Sequence, residues 1–330
     1  MQAILSVTVP FFALVLAGWL AARRGVLPES AIPGLNAYVL YFALPCLLLR
    51  FGAGTPVIDL LNPYLLAVYL VCALVVVGVT VRVSLNTRVG LKDAAFGALV
   101  AAFPNTGFMG VPLLVALLGP TAAGPVICTV LADLFVTSSL CIALSQLERV
   151  KGEGAQGTGQ HGARQAALRA VRGALSNPLP WSIALGAALS VGGVRLSGPI
   201  DTITRMLADS ASPVALFSIG AVLWRAGVHA HTRTPLADYL PVALIKLLLH
   251  PLLVFAVGSA AQRLGAPLSA FQLMVLTLAA ALPSASNVSL LTERYGADSG
   301  RVARIIMTST VLAFGSFSAL AWWFGVQPAG

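Results

Sequence analysis

The feature that most constrains this chain is a succession of ten apolar stretches, near 2–22, 33–51, 62–83, 93–118, 122–146, 178–194, 199–225, 236–262, 267–292 and 300–324. A membrane-spanning helix needs roughly 20 such residues. Backbone polar groups cannot face hydrocarbon unpaired, so each stretch is expected to be helical. Charged side chains make up 9% of the 330 residues, against about 25% in a soluble domain. That is too little charge to cover a water-facing surface, so the expected class is an all-α integral membrane protein with lipid as its main solvent.

A formal net charge of +9 could suggest a nucleic-acid partner. Such a protein gathers its basic residues on one face or tail; here they sit in short connections between apolar stretches, so no nucleic acid is expected. The connections after the first, third, fifth, seventh and ninth spans hold fifteen Lys and Arg, from Arg23 to Arg304. Those after the second, fourth, sixth and eighth hold only Arg50, Arg195 and Arg263. The positive-inside rule puts the first group in the cytoplasm, and both termini outside. The first stretch lacks a basic leader, which favours a span over a cleaved signal peptide, and the absence of a transit peptide makes a bacterial inner (plasma) membrane the expected location. Cys46, Cys72, Cys128 and Cys141 all lie inside apolar stretches without C-x-x-C spacing and read as small hydrophobes. No metal and no cofactor are expected.

Residues 147–177 form the one long polar stretch, Gly-rich in its first half and expected to be a cytoplasmic linker. From Arg164 to Arg172 it reads either as a short basic amphipathic helix on the membrane surface or as plain linker. Five spans precede it (1–146) and five follow (178–330). An odd-numbered unit repeated in sequence must be inverted, an arrangement found in secondary transporters. The halves rhyme: the second span carries Pro45 and the seventh Pro213, while the fourth carries Pro104-Asn105-Thr106-Gly107 and the ninth Pro283-Ser284-Ala285-Ser286-Asn287.

Proline removes an amide donor and clashes with the carbonyl four residues back. Pro104, Pro112 and Pro283 therefore free the carbonyls of Val100, Phe108 and Ala279. Either these are proline kinks, or both helices are broken in mid-membrane and expose their ends to a substrate. In the second case the N-terminus of a half-helix favours an anion, with Asn105 and Asn287 adding side-chain amides.

Asp133 lies inside the fifth span and Lys246 inside the eighth. Each costs about 2.5–3.5 kcal/mol at the bilayer centre on insertion scales, which makes them functional candidates by default. The simplest expectation is a facing ion pair, serving either coupling or a structural tie. His250 follows Lys246 on the same helical face and is either a titrating or a packed histidine. Asp201, Arg205 and Asp209 form a charged stripe, read as a solvated face or as the rim of an outer vestibule. No nucleotide-binding loop, zinc-protease motif, nucleophile elbow or paired-carboxylate arrangement is present, so neither an ATP-driven pump nor an enzyme is expected.

At these residues the chain resembles the auxin efflux carrier family. The resemblance rests on Asn36 with Leu44-Pro45, on the string from Pro104 to Pro112, on Pro213 to Gly220, on Lys246 to Pro251 and on Leu282 to Tyr295. It implies ten helices in two inverted repeats, as in bile acid symporters and sodium/proton antiporters, with broken helices 4 and 9 crossing. Spans 1, 2, 6 and 7 would form a scaffold, and the rest a moving unit. Implied substrates are weak organic acids such as auxin, malate or malonate. In the antiporters an acid of the fifth helix can pair with a lysine of the eighth, where Asp133 and Lys246 fall.

The expected function is therefore alternating-access, elevator-like transport of a small organic anion. Expected substrate contacts are Pro104, Asn105, Thr106, Gly107, Pro283, Ser284, Asn287, Asn36 and Pro45, and expected coupling residues Asp133, Lys246 and His250, with H+ or Na+ as candidate ions. A cation antiporter of the same fold, a passive channel and a sensor remain alternatives, and a homodimer is left open.

Overall fold

The computed structural model describes residues 1–56, 62–152, 177–228 and 234–327. Among them every regular element is helical. Residues 153–176 of the expected linker, with the stretch from Arg164 to Arg172, lie outside the described residues. The helices are α1 (Gln2–Arg23), α2 (Glu29–Gly54), α3 (Pro63–Ser84), α4 (Leu91–Ala102), α5 (Thr106–Leu118), α6 (Pro120–Leu147), α7 (Pro178–Val191), α8 (Gly198–Val228), α9 (Leu236–Arg263), α10 (Ala270–Ala280), α11 (Val288–Tyr295) and α12 (Ser299–Trp323). Seven of them (α1, α2, α3, α6, α8, α9 and α12) are long and apolar enough to cross a membrane. Large apolar side chains such as Leu16, Tyr41, Phe42, Leu252, Val311 and Trp323 point outward, as lipid-facing surface requires. The protein is an integral membrane protein.

The fourth and ninth expected spans are not single helices. Each is two shorter pieces, α4 with α5 and α10 with α11, separated by extended backbone at Phe103–Asn105 and irregular backbone at 281–287. The sixth is short too: α7 has 14 residues, because Pro178 opens it and Gly193, at φ +63°, ends the chain's helical path.

Prolines also leave a mark inside the long helices. Wide turns of the π type occur at Val39–Ala43, Thr106–Gly110 and Ile245–Leu249. Pro45, Pro112 and Pro251 follow each by two residues. Each proline deletes the bond to the carbonyl four residues earlier, and one wide turn lets the chain absorb that loss without breaking. A fourth wide turn, Asp133–Thr137, has no such proline.

The helices pack as two groups. In the first, α1 lies on α8, α2 on α7, and α8 along α2. Glycine permits both close crossings. A Cβ on Gly220 would overlap the carbonyl oxygen of Val15, and one on Gly18 that of Phe217. Likewise a Cβ on Gly52 would sit 3.0 Å from the Ile183 oxygen, and one on Gly186 would overlap the Leu49 oxygen. Between apolar helices in lipid, such backbone-to-backbone approach supplies much of the attraction.

The second group contains α3, α4, α6, α9, α10 and α12. Its centre is α4, where Ala94 through Ala102 are all buried; a helix apolar on every side belongs in the interior. At one end Arg301 ties four helices. Its Nε donates to the Asp238 carbonyl (2.7 Å), Nη1 to the Asp93 carbonyl (2.8 Å) and Nη2 to Ser84 Oγ (2.9 Å). Gly97 leaves the room, since a Cβ there would stand 2.6 Å from Nη1. Arg301 therefore departs from its expected place in an exposed connection: it is 1% exposed and already inside α12.

Gly78, in α3, has open space where its Cβ would be. Gly220→Ala should therefore lower the melting temperature of the purified protein, at a cost of about 1–3 kcal/mol for overpacking. Gly78→Ala should leave it unchanged or slightly raised. Thermal unfolding of both variants in detergent checks the pair.

Candidate functional site

The two breaks meet. Pro104 and Ser284 face each other as an isolated antiparallel bridge. The Asn105 amide donates to the Pro283 carbonyl (2.8 Å), and the Ala285 amide to the Phe103 carbonyl (3.0 Å). Each broken segment thus satisfies backbone groups of the other, as polar backbone inside a bilayer requires. Ser309 Oγ of α12 accepts from the Ser284 amide (3.2 Å).

Four helix ends converge here: the C-termini of α4 and α10, and the N-termini of α5 and α11. Several polar groups are left over. The amides of Ser286 and Asn287 have no acceptor among the described residues. Ser284 Oγ and Asn287 Oδ1 are buried without a partner. Asn105 is 3% exposed, and its side-chain amide makes no hydrogen bond among the described residues. Thr106 Oγ1 reaches only the Pro104 carbonyl, at 3.5 Å. Gly107 borders open space, with no atom within 4 Å of where its Cβ would be. Buried polar groups are ordinarily paired, so a cluster of unpaired donors and acceptors at two helix N-termini is poised for a polar guest.

Seven expected substrate residues (Pro104, Asn105, Thr106, Gly107, Pro283, Ser284 and Asn287) are therefore together at this crossing. Asn36 and Pro45 are on α2, in the other helix group. Asn36 Oδ1 accepts from Ser218 Oγ at 2.6 Å, which ties α2 to α8. The Thr106–Gly110 turn lies against α8, so the crossing sits at the seam between the two groups.

Asp133 and Lys246 do not make the expected direct ion pair, whereas Arg50 and Asp201 do pair. Both are fully buried, but each has found other partners. Asp133 accepts from Tyr69 Oη (2.7 Å) and Thr137 Oγ1 (2.9 Å). Lys246 Nζ donates to the Ala280 carbonyl (2.5 Å) and lies 3.3 Å from His250 Nδ1. Ala280 is the last residue of α10, so the ammonium sits at the negative end of a half-helix. The His250 and Tyr69 rings are 5.7 Å apart, and through them the two charges belong to one buried polar cluster. Lone charges would be costly there, and hydrogen-bond donors and a helix terminus offset that cost.

A family model described as "Membrane transport protein" matches residues 3–321. The chain belongs to this family, the auxin efflux carriers. Among similar proteins, one named "Putative malonate transporter" from Rhizobium meliloti (strain 1021) is 28% identical over 98% of this chain and 96% of its own. An "Uncharacterized transporter" of Methanothermobacter thermautotrophicus is 26% identical over 94% of each chain. The "Uncharacterized transporter YfdV" of Escherichia coli (strain K12) is 25% identical over 87% of this chain and 86% of its own. Membership makes this a transmembrane transport protein with a small-molecule substrate, working in lipid.

Tyr69→Phe removes one of the two donors to the buried Asp133 carboxyl. It should lower stability by about 1–2 kcal/mol, the scale for an interrupted buried hydrogen bond to a charged group. A drop in detergent melting temperature larger than that for Thr80→Val, whose hydroxyl has no partner, checks it.

Proposed function

We propose that this protein is a secondary active transporter of a small organic anion, carrying a carboxylate such as malonate by alternating access. The observation that carries the reading is the buried crossing of two broken helices with unpaired donors at its helix N-termini. Helix N-termini and free amides suit negative charge. Asn105, Asn287, Ser284 and the Thr106–Gly107 backbone would hold the carboxylate, with Asn36 and Pro45 on the facing panel. The match to a protein named "Putative malonate transporter" supports a dicarboxylate of that size.

The reading includes ten spans in two inverted repeats, residues 1–146 and 178–330, joined by a cytoplasmic linker at 147–177. Each glycine of one close crossing has its counterpart 168 positions away in the other, Gly18 with Gly186 and Gly52 with Gly220, and so do Pro45 and Pro213. The α1–α8 and α7–α2 packings exchange under the same relation. The Lys and Arg bias supports external termini, and the reading places the protein in a bacterial plasma membrane. Glycine-locked α1, α2, α7 and α8 would be the scaffold, and the second group the elevator unit, with the seam at the Thr106–Gly110 turn between them.

A second reading, a sodium- or proton-coupled cation antiporter of the same fold, draws on the buried cluster of Asp133, Tyr69, Lys246 and His250. Proteoliposomes separate the two: an organic-anion carrier shows saturable uptake and counterflow of malonate, and an antiporter dissipates a pH gradient on Na+ addition without any organic anion. Asn105→Ala should abolish malonate uptake while leaving a monodisperse, folded protein. Normal uptake by that variant removes the crossing as the site.

A further inference from the structure

A cavity of about 590 Å³ lies away from the crossing. Its walls come from both helix groups. Arg50 of α2, Arg195 of the α7–α8 connection, and Asp201 and Asp209 of α8 line one side. Pro120 and Thr121, in the turn from α5 into α6, line the other. α5 runs from the crossing at Thr106 toward this cavity at Pro120, so at 1.5 Å per residue the two sites are about 20 Å apart. Arg195 and Asp209 are exposed, and the cavity is open to water. In the orientation proposed above it faces outward.

The two arginines are in different states. Arg50 is committed: its Nη1 pairs with Asp201 Oδ1 and reaches the Asp201 carbonyl at 3.4 Å. Arg195 has no side-chain partner among the described residues. One guanidinium fork is therefore masked by a carboxylate, and the other is free beside it. A planar guanidinium matches a carboxylate through two parallel N–H donors, which a lysine cannot reproduce. The cavity exceeds the volume of a small dicarboxylate, since a single water occupies about 30 Å³, so an anion would be held there with much of its hydration. Asp209 cancels the free positive charge formally. Recognition must then work at contact range and not by long-range attraction, which screening by salt would weaken.

We propose that this cavity is an anteroom for the transported carboxylate, in which Arg195 takes the anion first and Asp201 competes with it for Arg50. The proposal rests on the organic-anion reading given above. It makes Arg195 a residue that sets the KM at the outer face, and it gives Arg195 and Asp201 opposite effects.

The test is initial-rate malonate transport in proteoliposomes, with each face presented in turn. Arg195→Gln should raise the outer-face KM by about tenfold, the scale of one charge-assisted hydrogen-bonded pair, leaving the outer-face maximal rate and the inner-face KM within about twofold; because the two faces share one transport equilibrium, the maximal rate from the inner face should fall about tenfold in step, as release to the outside slows. Arg195→Lys, which keeps the charge without the fork, should fall between. Asp201→Asn, which unmasks Arg50, should lower the outer-face KM. An unchanged outer KM in Arg195→Gln, an equal change of KM at both faces, or a rise of the outer KM in Asp201→Asn overturns the proposal. Vesicles of phosphatidylcholine alone, set beside vesicles containing phosphatidylglycerol, separate a soluble anion from a lipid headgroup. A KM effect seen only with phosphatidylglycerol assigns Arg195 to lipid and overturns the anteroom. A wild-type protein that carries no mono- or dicarboxylate sinks the organic-anion reading itself; normal wild-type transport with an indifferent Arg195 sinks only the anteroom.

Discussion

A backbone that leaves its helix in the middle of a bilayer must find hydrogen-bond partners at once, and in this protein the partner of each broken segment is the other. The exchange of bonds between Asn105 and Pro283, and between Ala285 and Phe103, makes neither break tolerable alone. An unpaired buried amide or carbonyl costs several kcal/mol in hydrocarbon. That coupling forces α4 to the centre, where it is buried on every side, and it requires the helices around it to form a closed shell. What the mutual pairing leaves over is the proposed site: two amides, a hydroxyl and two carboxamides that have no partner among the described residues.

The rest of the architecture keeps that crossing at the seam between two helix groups. On one side, four helices interlock through glycines whose missing side chains let main chains touch. On the other, Arg301 fastens the ends of α3, α4, α9 and α12 with three donors, and Lys246 supplies a positive charge where α10 ends. Each group is braced internally, while the Thr106–Gly110 turn lies against a helix of the opposite group. In the proposed alternating-access reading, the motion between the two groups falls at that boundary.

Much of this was legible in one dimension, because proline and glycine act locally. Pro104 and Pro283 marked the breaks, and apolar length marked the long helices. Matched prolines in the two halves are the sequence basis of the proposed inverted repeat. What the sequence could not provide was partnership. Asp133 and Lys246 stood out as lone charges in apolar stretches, and pairing them was the simplest expectation. The structure instead gives Asp133 the hydroxyls of Tyr69 and Thr137, and gives Lys246 a backbone carbonyl. A tyrosine within an apolar run carries no mark of its distant neighbour, and a carbonyl carries no sequence signal at all. Arg301 was misplaced for a related reason. A basic residue near the end of a span looks like a loop charge until three acceptors from three other helices surround it.

The shortness of α7 has a physical consequence for the surrounding lipid. Fourteen residues extend about 21 Å along a helix axis, whereas the hydrocarbon layer measures about 30 Å. In the proposed ten-span reading α7 is the sixth span, and acyl chains beside it would have to compress or tilt to avoid exposing its polar ends, at a fraction of a kcal/mol for each ångström of mismatch. The bilayer would then be thinner on that flank of the protein than elsewhere around it.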